Sequence, residues 1–558
     1  MKPFLSYFLV LLLAVALMPA KAFSQQVNDK QKAYKVLEAL AEQIGSLQSG
    51  ENRARMGSNI AESLWTHNEP RAREIFALVI KEIKAGLEHD EKDPDPVRTR
   101  QVFLKLREDT ALRIGAHNPE LALQSLQDTK RNDVYISDED ENQLNVRLAM
   151  VVAGRNPDLA LKLGRESLRQ GVSESQLILM FVLNKTSRVH ASALLAEMVK
   201  IVPNQSIGNV MKNEQFYFML ARDVEPTLGR DPAFRDLMNY FTDVALKIGC
   251  GRKEPLKDDN GFCYRLGVVV PLMEKVDAKR VAPLKHLARN AGFPYEWVPE
   301  LNHYADVYQT GSVDDLLSMN RTYPEFSDVG QIYAIRKLID AGDFERARKL
   351  LNELTWQEES SKQLAIKEVA DAERIVNEDT SAEIFTRAKE LPDESYTFHY
   401  LFRMATEIGP KNPQTTLKLL DRASEFLDKV PPEKWQMQWQ IGMAVRYCQV
   451  KSDRCFTIME SVIRKLNELV TAATKLNGFD NRYLRNGEWN MTAEGGVGSL
   501  LTMLAQNAVY FAVCDFDRAL ALTSQFERRE IRMMAQLKLA QGVLVGPPGK
   551  TLFPVDEH

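Results

Sequence analysis

Apolar side chains recur along most of this chain at spacings of three and four, the interval that lines one face of an α-helix. In "RNPDLALKLGRESL", residues 155–168, Leu159, Ala160 and Leu163 form such a stripe between polar neighbours. Pro157 fixes φ near a helical value without needing an N–H partner, and its ring pushes Asn156 toward the extended conformation of a cap. Asn156 can then accept from a backbone N–H one turn on, while Asp158 meets the positive end of the helix dipole. The grammar returns at "HNPELALQSLQDT" (117–129) and "KNPQTTLKLLDRA" (411–423). An acid replaces the asparagine in "DAGDFERARKLLNELT" (340–355) and "CDFDRALALTSQF" (514–526). Helices are predicted to start at Asn118, Asn156, Asp343, Asp379, Asn412, Asp453 and Asp517, with Gly342 closing the helix before Asp343.

Three of these intervals, Asn118 to Asn156, Asp343 to Asp379 and Asp379 to Asn412, measure 38, 36 and 33 residues. Periods of this length with helical patterning predict helix hairpins that bury their stripes against one another. "GDFERARKLLNEL" resembles the second helix of the tetratricopeptide repeat family. The family's small residue falls at Ala347, its bulky one at Leu351, and Ala334 lies near the small position of the first helix. The Trp, Gly and closing Pro of the fuller pattern are absent, other copies match through the second helix, and HEAT-type units remain an alternative. The resemblance implies an all-α fold, a right-handed α-solenoid of antiparallel helix hairpins whose extended concave surface holds a protein or peptide.

Two stretches interrupt the period. Residues 246–300 are richer in Gly, Pro and aromatics, and 477–498, "NGFDNRYLRNGEWNMTAEGGVG", widens the interval from Asp453 to Asp517. The expected organisation is a leader at 1–22, a helical array at 23–245, a connector at 246–300, a second array at 301–545 carrying the insertion 477–498, and a disordered tail at 546–558. Loops on a rigid scaffold are where binding concentrates. Tyr295, Trp297 and Tyr304, followed by Tyr308, and the insertion's Glu488, Trp489 and Glu494 are therefore the candidate ligand surface. Trp435 and Trp439 stand four apart on one helical face, which reads as core.

The leader changes the address. "MKPFLSYFLVLLLAVALMPAKAFSQQ" has a basic Lys2, an apolar run from Phe4 to Met18 and the small-x-small site Ala20-Lys21-Ala22, the three parts of a signal peptide cleaved after Ala22. An exported chain, periplasmic or secreted, is expected, with no transmembrane segment after cleavage because no later apolar run is expected to reach the roughly 20 residues of a spanning helix. The full chain of 558 residues carries net charge −4. Removing 1–22 takes away Lys2 and Lys21 and no acid, leaving 70 basic against 76 acidic residues. A slightly acidic chain has no broad positive field for phosphate backbones, so nucleic acid is not the expected partner.

Export makes disulfides the first reading of the cysteines. Cys250 and Cys263 bracket a polar loop and form one candidate pair. Cys448 and Cys455 form the other only if "QVKSD" turns the chain back, since seven residues of unbroken helix would hold them about 10 Å apart. Cys514, within "NAVYFAVC", reads as a small core residue. No C-x-x-C spacing points to zinc, and no cofactor or metal is expected. "GPPGKT" (546–551) lacks the first glycine and following helix of a phosphate loop, and "ELNH" (300–303) has no second copy to complete a di-iron set. No catalytic set emerges. Two functions fit: a non-enzymatic scaffold for a protein or peptide, and a carbohydrate-active enzyme on a toroid of paired helices with a carboxylate pair as acid and base.

Overall fold

The computed structural model describes residues 20–88, 96–130, 138–202, 224–248, 269–284, 307, 311–322, 327–427, 434–480, 483–493 and 495–546. The protein is all-α; among the described residues the only sheet is a pair of two-residue strands. It forms two compact units, one from residues 1–107 and 371–558, the other from 108–370. The first unit opens with α1 (Ala20–Gln43), α2 (Gly50–Leu64), α3 (Glu69–Glu88) and the start of α4 (Pro96–Gly115). The second holds the rest of α4, α5 (Pro119–Asp128), α6 (Asp138–Val152), α7 (Pro157–Ser167), α8 (Glu174–Thr186), α9 (Arg188–Ile201), α10 (Glu225–Leu228), α11 (Pro232–Ile248), α12 (Val270–Val281), α13 (Val313–Thr322), α14 (Ser327–Asp340), α15 (Phe344–Glu353) and most of α16 (Glu359–Asn377). The chain returns to the first unit for α17 (Ser381–Ala388), α18 (Glu394–Ile408), α19 (Pro413–Leu427), α20 (Lys434–Gln449), α21 (Arg454–Asp480), α22 (Gly496–Cys514), α23 (Phe516–Thr523) and α24 (Arg529–Val545).

This division corrects the expected break at 246–300. Helices α11 and α12 lie on either side of residues 249–268, yet they pack on each other within the second unit, and Arg280 pairs with Asp243. The apolar faces on both sides, including Phe241, Ala245, Leu272 and Met273, are buried.

The starts read from sequence hold at Asn118, Asn156, Asp343 and Asn412, whose Oδ1 atoms accept from the N–H groups of Leu121 at 2.8 Å, Leu159 at 3.0 Å, Arg346 at 3.0 Å and Thr415 at 3.1 Å. Gly342, at φ +73°, ends α14, and the Asp343 N–H closes back on the Leu338 carbonyl at 2.9 Å. Two starts shift register. Asp515, not Asp517, caps α23 by accepting from Arg518 N–H, while Asp517 sits in the first turn and pairs with Lys32. Asp379 precedes the Thr380 cap of α17 and accepts from Ser381 N–H at 3.1 Å. A further copy, Asn68-Glu69-Pro70, follows the same grammar: Asn68 Oδ1 accepts from Arg71 N–H at 3.3 Å.

The cap asparagines also reach the preceding hairpin. Asn156 Nδ2 donates to Glu120 at 2.8 Å, Asn68 Nδ2 to Glu38 at 3.0 Å, and Asn412 Nδ2 to the carbonyls of Ile375 at 3.0 Å and Glu378 at 2.9 Å. Within the second unit, ion pairs Arg165–Glu197, Arg336–Glu368 and Arg346–Asp314 each join residues 32 apart. Exposed pairs of this kind add little stability.

Burial follows the helical stripes. Ile332, Ile335 and Leu338 of α14 meet Ala347 and Leu351 of α15 and Ala365 and Val369 of α16, with Trp356 against the cluster. In the first unit α1 buries Ala33, Leu37 and Leu40 and packs on α24, whose Gln541 Nε2 donates to Ser63 of α2 at 3.1 Å. Thus the earliest and latest described helices share one core. A Cβ on Gly542 would stand 2.7 Å from the Val509 Cα, so only glycine permits this approach of α24 to α22. Helix α22 is long and apolar enough to cross a membrane by length and composition, correcting the expectation that no later run reaches that length. Here 56% of its apolar window is buried against the rest of the unit, as in a core helix.

The double duty of Asn412 is testable by urea unfolding. Asn412→Ala should cost about 1–2 kcal/mol through the lost cap and the stranded carbonyls. Asn412→Asp keeps the cap acceptor but faces two carbonyls with a carboxylate oxygen, so it should recover little of the loss. Full recovery in the aspartate variant would show that the reach to Ile375 and Glu378 is immaterial.

Candidate functional site

The insertion at 477–498 was the strongest candidate, and its centre is a small hairpin. Asn486 and Gly487 take φ +48° and +75°, the backbone of a two-residue turn whose twist suits paired strands. Leu484–Arg485 pairs antiparallel with Glu488–Trp489 across it. Asn477 Oδ1 at the end of α21 accepts the N–H groups of Tyr483 and Leu484, both at 2.8 Å, and fixes where the hairpin leaves the helix. The Asn-Gly dipeptide within "YLRNGEW" is a strong hairpin signal that reading the segment as a loop left unused.

The structure places Glu488 and Trp489 inside the first unit, 4% and 1% exposed, which corrects their assignment to a ligand surface. Glu488 Oε1 and Oε2 accept the backbone N–H groups of Gln48 at 2.8 Å and Ser49 at 3.0 Å, just where α2 begins. Asn52 Nδ2 at 3.3 Å and an Arg529 guanidinium nitrogen at 3.2 Å complete the shell. The Trp489 ring stacks on Tyr483, its backbone N–H donates to Glu530 at 2.7 Å, and its carbonyl accepts from Asn52 at 2.9 Å. Beside them Arg485 and Arg55 hold Glu51 at 3.0 and 3.2 Å, and Arg528 holds both Glu530 and the Gly487 carbonyl at 2.7 Å.

This arrangement is a clamp between the start of α2 and the start of α24. Burial pushes the Glu488 carboxyl up, but the Ser49 and Gln48 N–H groups, Asn52 and Arg529 outweigh it and hold the group below the usual carboxylate range. A glycosidase general acid needs the opposite shift, so Glu488 is unsuited to that role. Glu494, Tyr295, Trp297, Tyr304 and Tyr308 lie outside the described residues, as do Cys250 and Cys263. Trp439 is half-buried, edge-on to Phe398 at 5.4 Å and Phe402 at 5.3 Å, in the core role its spacing suggested.

Cys448 and Cys455 stand as a disulfide pair with Cα atoms 5.4 Å apart. Helix α20 ends as expected: Lys451 takes φ +56° and Ser452 N–H returns to the Tyr447 carbonyl at 2.9 Å, so α21 starts beside the end of α20. No protein-family model matches this chain, and no curated protein matches it.

Among the described residues two concavities stand out. Met459, Ile463, Leu504, Ala508, Phe511 and Met534 surround a gap of about 40 Å³ in the first unit, too small for an organic ligand. In the second unit an open groove of about 440 Å³ runs between α5 and α7, lined by Glu120, Leu123, Gln124, Gln127, Asp128, Asn156 and Leu159. The hydrogen bond from Asn156 to Glu120 links its two sides.

Glu488 stabilises the fold as an anion, and the sign of its pH dependence follows. Its folded value lies below the unfolded one, so the contribution is full above the ordinary glutamate range and is lost as pH falls through the folded value. Glu488→Ala should cost about 2–3 kcal/mol at pH 7, because two N–H groups and a guanidinium lose their acceptor. Glu488→Gln should be less stable than wild type at pH 7, with the gap closing below about pH 4. A gap in urea midpoint that does not change with pH would contradict this account.

Proposed function

We propose that this chain is an exported helical-repeat scaffold, a right-handed α-solenoid of antiparallel hairpins that binds a protein or peptide partner. The observation that carries the reading is the set of links 32 residues apart in the second unit, which repeat one helix-to-helix relation along the chain. Such arrays present the same helix face many times, and an extended segment laid across them meets equivalent grooves. The groove between α5 and α7 is one such place. Glu120, Asp128, Gln124 and Gln127 make it acceptor-rich, which suits a peptide carrying Lys, Arg or amide side chains. Export rests on the leader, with the mature chain beginning at Phe23 inside α1.

A second reading, a carbohydrate-active enzyme on a ring of paired helices, draws on the packing of α1 against α24. It would have to find its acid away from Glu488.

One binding experiment separates the two. Mature chain from Phe23 is immobilised and exposed to envelope and culture extracts of its own source, with bound protein identified by mass spectrometry and bound glycan by sugar analysis. The scaffold reading expects a saturable protein partner, bound at least tenfold more weakly, about 1.4 kcal/mol, by the double variant Gln124→Arg, Gln127→Arg. The variant's circular dichroism should match wild type, since both side chains are exposed. Recovery of polysaccharide without a protein partner would place the enzyme reading first.

A further inference from the structure

Three cysteine sulfurs from three helices meet at one end of the first unit. Cys448 lies near the end of α20, Cys455 in the first turn of α21 and Cys514 at the last residue of α22, and their Sγ atoms all lie within 4.8 Å of one another. Cys448 is 3% exposed and Cys455 is fully buried, whereas Cys514 is partly open to solvent. The bridge sulfurs are thus closed off from solvent, whereas Cys514, within 4.8 Å of both, is partly open to it.

We infer that Cys514 is the solvent-side member of a three-sulfur exchange site through which the buried Cys448–Cys455 bridge is made and broken. In the reducing direction Cys514 gives up its proton and its thiolate attacks Sγ of Cys448. The Cys448–Cys455 bond breaks, and Cys455 leaves as a thiolate that takes up a proton, so the bridge moves to Cys448–Cys514 with no net oxidation or reduction. An external thiol then attacks Sγ of Cys514, freeing Cys448 and leaving a mixed disulfide on Cys514. A second external thiol releases Cys514 and departs as the external disulfide. Two electrons have passed from two external thiols to one protein disulfide, and the reverse sequence, with a small disulfide as oxidant, forms the bridge.

The surroundings set the pace. Burial raises the Cys514 thiol, Asp515 and Asp453 add to the rise, and Lys451 and Arg518 oppose it, so the thiol keeps its proton at neutral pH. The exchange is slow there and quickens in alkali. The Cys448–Cys455 bridge spans only seven residues, whereas either bridge to Cys514 ties α22 to a neighbouring helix. Bridge migration thus moves the link from the consecutive helices α20 and α21 to one that includes α22.

The test uses the full oxidised chain under native conditions, reduced with dithiothreitol, quenched with N-ethylmaleimide at intervals and mapped by mass spectrometry. Wild type should lose the Cys448–Cys455 bridge at least tenfold faster than Cys514→Ser and Cys514→Ala, with Cys514-containing bridges trapped at early times. Wild type alkylated at Cys514 before reduction should match the variants, which keeps the test valid if a substitution harms folding. Equal rates with no Cys514-containing bridge would overturn the proposal. So would one zinc or copper ion per chain in the protein as purified, lost in Cys514→Ala, with no Cys448–Cys455 bridge: the cluster would then be a thiolate metal site.

Discussion

The first unit depends on how one buried carboxylate is satisfied. Glu488 loses its water and keeps its charge, and that is tolerable only with several donors converging on it. Those donors come from Gln48, Ser49 and Asn52 at the start of α2 and from Arg529 at the start of α24. The hairpin therefore works as a bolt between segments more than 400 residues apart in sequence, with |i−j| of 440 for Gln48 and Glu488. Trp489 fills the space behind it, and Glu530 and Glu51 repeat the same solution with Arg528 and Arg485. Three buried acids each have an arginine. Such a cluster specifies geometry.

The hairpin joints in both units run on a quieter version of the same rule. An asparagine cap has an acceptor for its own helix and two donor hydrogens for its neighbour, so it suits starts where the preceding hairpin offers a carboxylate or carbonyl. Asn68, Asn156 and Asn412 all meet that condition. An aspartate has no donor, and Asp379 and Asp517, which lie beside the caps Thr380 and Asp515, meet cations instead, Lys418 and Lys32.

The cysteine cluster and the groove on α5 and α7 bear on function in different ways. The groove lies between α5 and α7, while the cluster arises where α20, α21 and α22 end or begin together. A mobile bridge at that junction would act on the unit that contains the bolt, and the proposed partner surface lies in the other unit.

By itself the sequence determined the helices and several of their caps, because each depends on residues within a turn or two of one another. Asn156 with Pro157, Gly342 at positive φ and the buried Ala347 and Leu351 were all legible for that reason. The register slip from Asp515 to Asp517 came from two acids two residues apart, either of which satisfies the local rule. Asn486-Gly487 was legible too, and its hairpin was missed only because the segment was taken as a loop. Tertiary structure alone decided that Glu488 and Trp489 are core, that the chain divides at 107 and 370, and that Cys514 meets Cys448 and Cys455. In each case the deciding contact joins residues remote in sequence, and a composition that looks exposed, polar and glycine-rich carries no mark of the surface that will cover it.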